Sequence, residues 1–154
     1  MVMKPVETTR RETLALAAIA GFAAILAPKM LFADEAAVAA EIKRLYGDRK
    51  IGSGKIKLDV PEIAENGLVV PITVDVESPM TDSDYVKAVH VFADGNPLPG
   101  VVSYRFTPSS GKASASTRMR LAQTQNIVCV AEMSNGNLHM AKANIKVTIG
   151  GCGG

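Results

Sequence analysis

The sequence contains no tryptophan, only two cysteines, and only 5% aromatic residues. So few aromatic side chains argue against a surface on which nucleic-acid bases or sugar rings stack. Cys129 and Cys152 do not form a CxxC pair, and the chain has no HxxxH pair or methionine-rich cluster. His90 and His139 stand alone in β-like runs. The sequence therefore predicts no metal centre.

The sequence also lacks the local motifs of common catalytic and phosphate-binding sites. Ser103, Ser109 and Ser110 are not in a nucleophile-elbow context, and Gly52 and Gly54 do not follow a strand and open a helix. The acidic residues that are candidates for catalytic pairs lie in turn-like segments, where solvated carboxylates are expected: Glu62, Glu65, Asp82, Asp84 and Asp94. We predict no autonomous enzyme activity and no cofactor.

The 154 residues carry a net charge of +2, but the basic excess lies in the N-terminal segment. Without residues 1–33, the chain has 13 basic and 13 acidic residues. A neutral domain gives no electrostatic argument for nucleic acid or acidic lipid as a partner.

Residues 1–33 have the pattern of a bacterial export signal. Arg10 and Arg11 precede an uncharged run of 14 residues from Leu14 to Ala27. This run is shorter than the ~20 residues that a membrane-spanning helix needs, so we expect contact with the membrane only during export. The paired arginines favour the twin-arginine route into the periplasm, and we expect cleavage after Ala33. An uncleaved membrane anchor is the alternative. Because that route carries folded cargo, it suggests a partner bound before export.

Residues 34–149 are predicted to form a short helix and an all-β domain. Asp34 is a good N-cap for a helix ending near Tyr46, with Ala37, Val38, Ile42 and Leu45 on one side, and Gly47 and the glycines at 52 and 54 end it. Seven β-like runs follow, separated by turn residues: 56–60, 70–77, 85–93, 101–106, 113–121, 127–133 and 138–149. This spacing predicts an immunoglobulin-like β-sandwich, with an open barrel as the alternative. Pro71 predicts a strand edge or a bulge.

Residues 150–154 read Gly150, Gly151, Cys152, Gly153, Gly154 and are predicted to form a flexible arm that carries a thiol. Cys152 can stand ~10 Å beyond Ile149 at ~3.3 Å per extended residue. No lysine, arginine or histidine neighbours it, so nothing local lowers its pKa from the usual ~8.5. The arm presents a nucleophile that it does not activate, which is typical of a carrier whose partners supply catalysis.

A disulfide between Cys152 and Cys129 is not expected. If Asn135 and Gly136 form a two-residue hairpin turn, Cys129 pairs with Lys142, ~23 Å along the strand from Ile149. A disulfide requires the two Cα atoms within ~7 Å of each other. Cys129 is instead predicted to be a small buried hydrophobe. A Cys152–Cys152 bond between two chains remains feasible.

The sequence resembles the SoxY family, the sulfur-carrier subunits of the periplasmic thiosulfate-oxidising Sox system. The resemblance covers almost the whole of the chain after residue 33. It is carried by the segments 58–67, 78–81, 96–99, 117–122 and 130–136, and above all by the arm at 150–154. Cys129 departs from the expected pattern, because that strand position usually has no thiol.

The resemblance implies an immunoglobulin-like sandwich in a stable heterodimer with a second β-sandwich subunit, SoxZ. It implies that Cys152 is the attachment point for sulfur intermediates. A haem-containing enzyme would join thiosulfate to this residue, and a hydrolase would release sulfate. Where the host has one, a molybdenum-containing sulfur dehydrogenase would oxidise the remaining sulfane sulfur.

Three other interpretations stay open from the residues alone. The terminal Gly153-Gly154 pair is also found in ubiquitin-like carriers that form a thiocarboxylate, although that cytoplasmic chemistry conflicts with the leader. The domain could be a periplasmic interaction module with an incidental tail. It could also be a redox protein that dimerises reversibly through Cys152.

Overall fold

The computed structural model describes residues 32–151. The leader to residue 31 and the residues Cys152, Gly153 and Gly154 lie outside this range, so the predictions made for them remain predictions. Within residues 32–151, no helix is long and apolar enough to cross a membrane.

Helix α1 spans Glu35–Tyr46 and begins and ends as its sequence dictates. The Asp34 side chain accepts a hydrogen bond from the Ala37 amide at 2.8 Å, which satisfies one free donor of the first turn. Gly47 ends the helix with a φ of 66°, a conformation that a side chain disfavours. The buried side is formed by Val38, Ile42 and Tyr46, whereas Leu45, which we expected on this side, is 37% exposed.

In residues 32–151, nine strands follow the helix, all seven predicted runs among them. Their bounds are β1 Ile51–Ser53, β2 Ile56–Asp59, β3 Ile63–Asn66, β4 Val70–Val76, β5 Val86–Ala93, β6 Gly100–Arg105, β7 Ala113–Met119, β8 Gln125–Met133 and β9 Leu138–Ile149. Strands β1 and β3 were not predicted, because Gly52 of β1 was assigned to the end of the helix and Glu65 of β3 to a turn-like segment. The fold class is confirmed, with nine strands instead of seven.

The strands form two sheets. The larger sheet has the order β1-β9-β8-β5-β6, and β3 also pairs with β9. Both β1 and β3 run parallel to β9 on its outer edge, at residues 138–140 and 146–149 of β9. The smaller sheet is antiparallel with the order β2-β4-β7.

The larger sheet is covered on both faces. One face packs on the smaller sheet through a core that includes Val74, Val91, Ile127 and Cys129. The other face packs on α1 through a second cluster with Phe92, Val130 and Leu138. Alternate residues of β8 therefore enter different cores, and this explains why β8 is almost continuously apolar.

Two local predictions are corrected by the pairing. Strand β4 is central, not an edge, but Pro71 pairs only with Arg118 of β7, because β2 ends opposite Thr73. Pro71 therefore lies where β4 has no partner strand on its β2 side, a position in which the missing N–H is tolerated. The β8–β9 turn is one residue longer than predicted, with Gly136 at a φ of 87°. Cys129 consequently pairs with Ala141, and Val128 pairs with Lys142.

Candidate functional site

The candidate site begins where β9 ends, at the root of the predicted arm. Gly150 and Gly151 are described, and Cys152 is the next residue along the chain. At this point three segments meet: the end of β9, the β3–β4 connection at Gly67, and the β7–β8 connection at Leu121 and Ala122. Gly67 is buried and Gly151 is half-buried.

Three backbone hydrogen bonds join these segments, and we call the arrangement the arm clasp. The Gly67 amide donates to the Ile149 carbonyl at 2.7 Å. The Leu121 amide donates to the Gly67 carbonyl at 2.8 Å, and the Gly151 amide donates to the Leu121 carbonyl at 2.8 Å. Each segment therefore bonds to the other two, and the residue before Cys152 is tied to the domain.

The clasp leaves no space for side chains. A Cβ atom on Gly67 would overlap the Leu121 carbonyl oxygen, and would lie 2.8 Å from the Gly151 nitrogen. A Cβ atom on Gly150 would overlap the Ala122 carbonyl oxygen, and one on Gly151 would overlap the Gly67 carbonyl. None of the three glycines has a positive φ, so close backbone approach is what requires glycine here. The flexibility that we expected at Gly150, Gly151, Gly153 and Gly154 stays a prediction, and the clasp argues against it at Gly150 and Gly151, whose backbone it ties or encloses.

A polar network positions the Leu121–Ala122 segment. The Gln125 side chain is 3% exposed, accepts a hydrogen bond from the Gly95 amide at 2.8 Å, and donates to the Asn96 side chain at 3.0 Å. The Asn96 side chain in turn accepts from the Ala122 amide and donates to the Arg120 carbonyl. Buried polar groups satisfied in this way fix a loop strongly, because an unpaired group would be costly.

Apolar side chains are exposed beside the clasp. Leu68 is 46% exposed and Val69 is 57% exposed immediately after Gly67, and Ile149 is 66% exposed immediately before Gly150. Exposed apolar side chains thus border the root of the arm.

The second cysteine lies far from this surface. Cys129 is a free thiol with no exposed surface, in the core between the sheets. Burial raises its pKa to about 12. Its partner Ala141 lies eight residues before Ile149 on β9, about 26 Å along the strand. The corrected register thus preserves the argument against a Cys129–Cys152 disulfide, and the buried state predicted for Cys129 is confirmed.

The other residues weighed from the sequence do not gather into a site. His90 bonds Ser103 at 2.7 Å within the β5–β6 pair, and His139 lies on β9 in the β1 pairing. Glu62, Glu65 and Asp82 are exposed, although Glu65 belongs to β3 and not to a turn. Asp94 accepts two hydrogen bonds from Asn126 at 2.7 Å. In residues 32–151, no group of three or more His, Cys, Asp or Glu side chains could hold a metal ion.

Native alkylation separates the two thiols. At pH 8, a pKa of about 12 leaves roughly one Cys129 in ten thousand as thiolate, whereas a thiol with the usual pKa of ~8.5 is about a quarter ionised. We expect the reduced native protein to take up one iodoacetamide equivalent, on Cys152. Cys129 should react only after unfolding, as peptide mass spectrometry of both samples would show. Equal labelling of both cysteines in the native protein would contradict this.

Comparison with known proteins identifies the class. Residues 42–152 match the family model described as sulfur oxidation protein SoxY, a range that includes the clasp and Cys152. No match is found among curated protein sequences. The solved structure of the sulfur carrier protein SoxY from Chlorobium limicola f thiosulfatophilum is 34% identical, with a TM-score of 0.63. The match covers 74% of this chain and 98% of that one.

More distant structures share the fold alone. A superoxide reductase (neelaredoxin) from Ignicoccus hospitalis is 15% identical with a TM-score of 0.57, covering 63% of this chain and 94% of that one. A superoxide reductase from Nanoarchaeum equitans is 12% identical with a TM-score of 0.52, covering 62% and 99%. The fold and the family match define a β-sandwich protein of sulfur oxidation. The chain belongs to the SoxY family.

Proposed function

We propose that this protein carries sulfur intermediates covalently on Cys152 during periplasmic thiosulfate oxidation. The observation that carries the proposal is the contrast between the two thiols. Cys129 is sealed in the core, whereas Cys152 directly follows a residue at the domain surface, inside the range that matches the family. The protein is a carrier and not an enzyme in this scheme.

The chemistry needs two partner activities. A haem-containing enzyme removes two electrons as the Cys152 thiol and thiosulfate join, forming Cys–S–S–SO3⁻ and releasing one proton. A hydrolase then adds water to the terminal sulfone, releasing sulfate and two protons and leaving the persulfide anion, Cys–S–S⁻, on Cys152. In hosts with a molybdenum-containing sulfur dehydrogenase, that enzyme oxidises the persulfide sulfur.

An S–S bond suits this cargo. It survives diffusion, yet it exchanges when a thiolate attacks. A tethered intermediate also stays at high effective concentration near each enzyme and is not lost to the bulk. The neutral charge balance of residues 34–154 limits nonspecific adhesion to partners, which favours release.

The proposal includes a heterodimer with a SoxZ-like β-sandwich subunit, and periplasmic location after twin-arginine export. The family match supports the heterodimer. The resemblance of residues 1–33 to a twin-arginine export signal supports the periplasmic location. An accompanying subunit without its own signal would explain a route that transports folded cargo.

Intact-mass analysis tests the carrier role. Protein isolated from the periplasm of cells grown on thiosulfate should carry adducts in sulfur increments or of thiosulfonate size, lost on reduction. Peptide mapping should place them on Cys152. Adducts on the terminal carboxyl group would instead indicate a thiocarboxylate carrier, and an unmodified protein under turnover conditions would contradict the proposal.

A further inference from the structure

We propose that Gly67 is a positioning residue for Cys152, because it closes the arm clasp that holds the root of the arm. The inference rests on the proposed function for its purpose, but its geometry does not depend on sulfur chemistry. It assigns a role to a residue 85 positions before the cysteine, for which the sequence alone indicated no link to the arm.

The contacts at Gly67 show why no other residue serves. Its amide bonds the last residue of β9 and its carbonyl accepts from Leu121, so both of its backbone polar groups are used. A Cβ atom there would meet two backbone atoms, of Leu121 and Gly151, as well as the Val147 side chain at 3.0 Å. Backbone atoms cannot rotate away as a flexible side chain does. Any side chain at 67 must therefore separate the segments and break the bond from Gly151 to Leu121.

The clasp fixes the root of the arm. With the Gly151 amide bonded to Leu121, the described backbone is tied to the domain as far as the residue before Cys152. The arm then starts from a fixed origin at Gly151, next to exposed Leu68, Val69 and Ile149. A fixed origin lowers the entropy that is lost when an enzyme captures the thiol, because fewer backbone torsions must be ordered.

Amide hydrogen exchange of the whole chain, purified with any accompanying subunit, tests the clasp directly. We expect the Gly151 amide of the wild type to exchange about tenfold or more slowly than an unstructured glycine. In Gly67→Ala this protection should be lost, while core amides of β8 such as Ile127 keep theirs. The matched control is Gly100→Ala, because Gly100 also lacks a positive φ and a Cβ atom there meets nothing within 4 Å. An unprotected Gly151 in the wild type overturns the clasp, even if Gly67→Ala fails to fold.

Kinetics then test positioning. The KM of the thiosulfate-conjugating enzyme for the Gly67→Ala carrier should rise about threefold or more with kcat little changed, because the cost falls on capture and not on the reaction. Alkylation of Cys152 by iodoacetamide should stay at the wild-type rate. An unchanged or lower KM in a variant whose Gly151 protection is lost overturns the positioning role. Failure of the carrier function looks different: Gly151 is protected, but Cys152 never carries sulfur.

Discussion

The Cys152→Ser variant is expected to lose thiosulfate-dependent oxidation completely and to carry no sulfur adduct. A serine hydroxyl cannot form the S–S bond that holds the intermediate, and its ordinary pKa leaves almost no nucleophilic anion at neutral pH. The reconstituted thiosulfate-oxidising system should show only the background rate of a reaction without carrier. The activity of the reconstituted system can be followed by electron transfer to the haem-containing enzyme and by sulfate release.

The matched control for this variant is Cys129→Ala. Cys129 is buried in the core between the sheets and takes no part in the proposed chemistry, so this variant should keep wild-type sulfur loading. Removing one buried sulfur should cost about 1 kcal/mol of folding free energy. If the Cys152→Ser variant supported thiosulfate oxidation at the wild-type rate, the carrier proposal would be wrong and an interaction module would be favoured. Activity of a disulfide-linked homodimer without any partner would favour the redox interpretation.

The second large effect is expected for Leu121→Ala. Leu121 has no exposed surface, and its backbone supplies two of the three hydrogen bonds of the clasp. Truncating a fully buried leucine costs about 2–5 kcal/mol, because transfer free energy is lost and a cavity remains. The free energy of unfolding, measured by urea titration with circular dichroism, should fall by this amount.

Leu98→Ala is the control for Leu121→Ala. Leu98 is 75% exposed, so the same truncation should change the free energy of unfolding by less than about 0.5 kcal/mol. Equal effects of the two variants would contradict the burial of Leu121. Because Leu121 also supports the root of the arm, the weaker variant Leu121→Val should lower Gly151 amide protection before the core amides are affected.

The larger part of the fold could be predicted from the sequence, because its signals are local. The period-2 pattern of β4 alternates between core and solvent, and the cap at Asp34 and the stop at Gly47 fix α1 within its own residues. Strands β1 and β3 could not be predicted in this way. They have three and four residues, and β9, the strand that they pair with, lies some 80 residues later. Their pairing depends on tertiary contacts that local propensity does not encode.

The candidate site could likewise be predicted only in part. The chemistry that we propose for Cys152 could be inferred from its glycine neighbours and from the absence of nearby charges, both visible in the sequence. The clasp could not be inferred in this way, because no residue near Gly67 in the sequence indicates that Gly67 contacts Gly151. One signal was present: the segments that carry the family resemblance include 58–67, 96–99, 117–122 and 150–154, and the structure brings residues of all four together around the root of the arm.

The attachment of β9 has a mechanical consequence. Beyond Ile145, among the residues that the structure describes, β9 pairs with β3, which runs parallel to it, and the clasp closes after Ile149. Tension on Cys152 along the strand axis, as when a bound arm is withdrawn from an enzyme, acts across hydrogen bonds that lie side by side. Such bonds share a shearing load and do not open in succession. The domain can therefore resist a pull at its loaded end without the last strand peeling from the sheet.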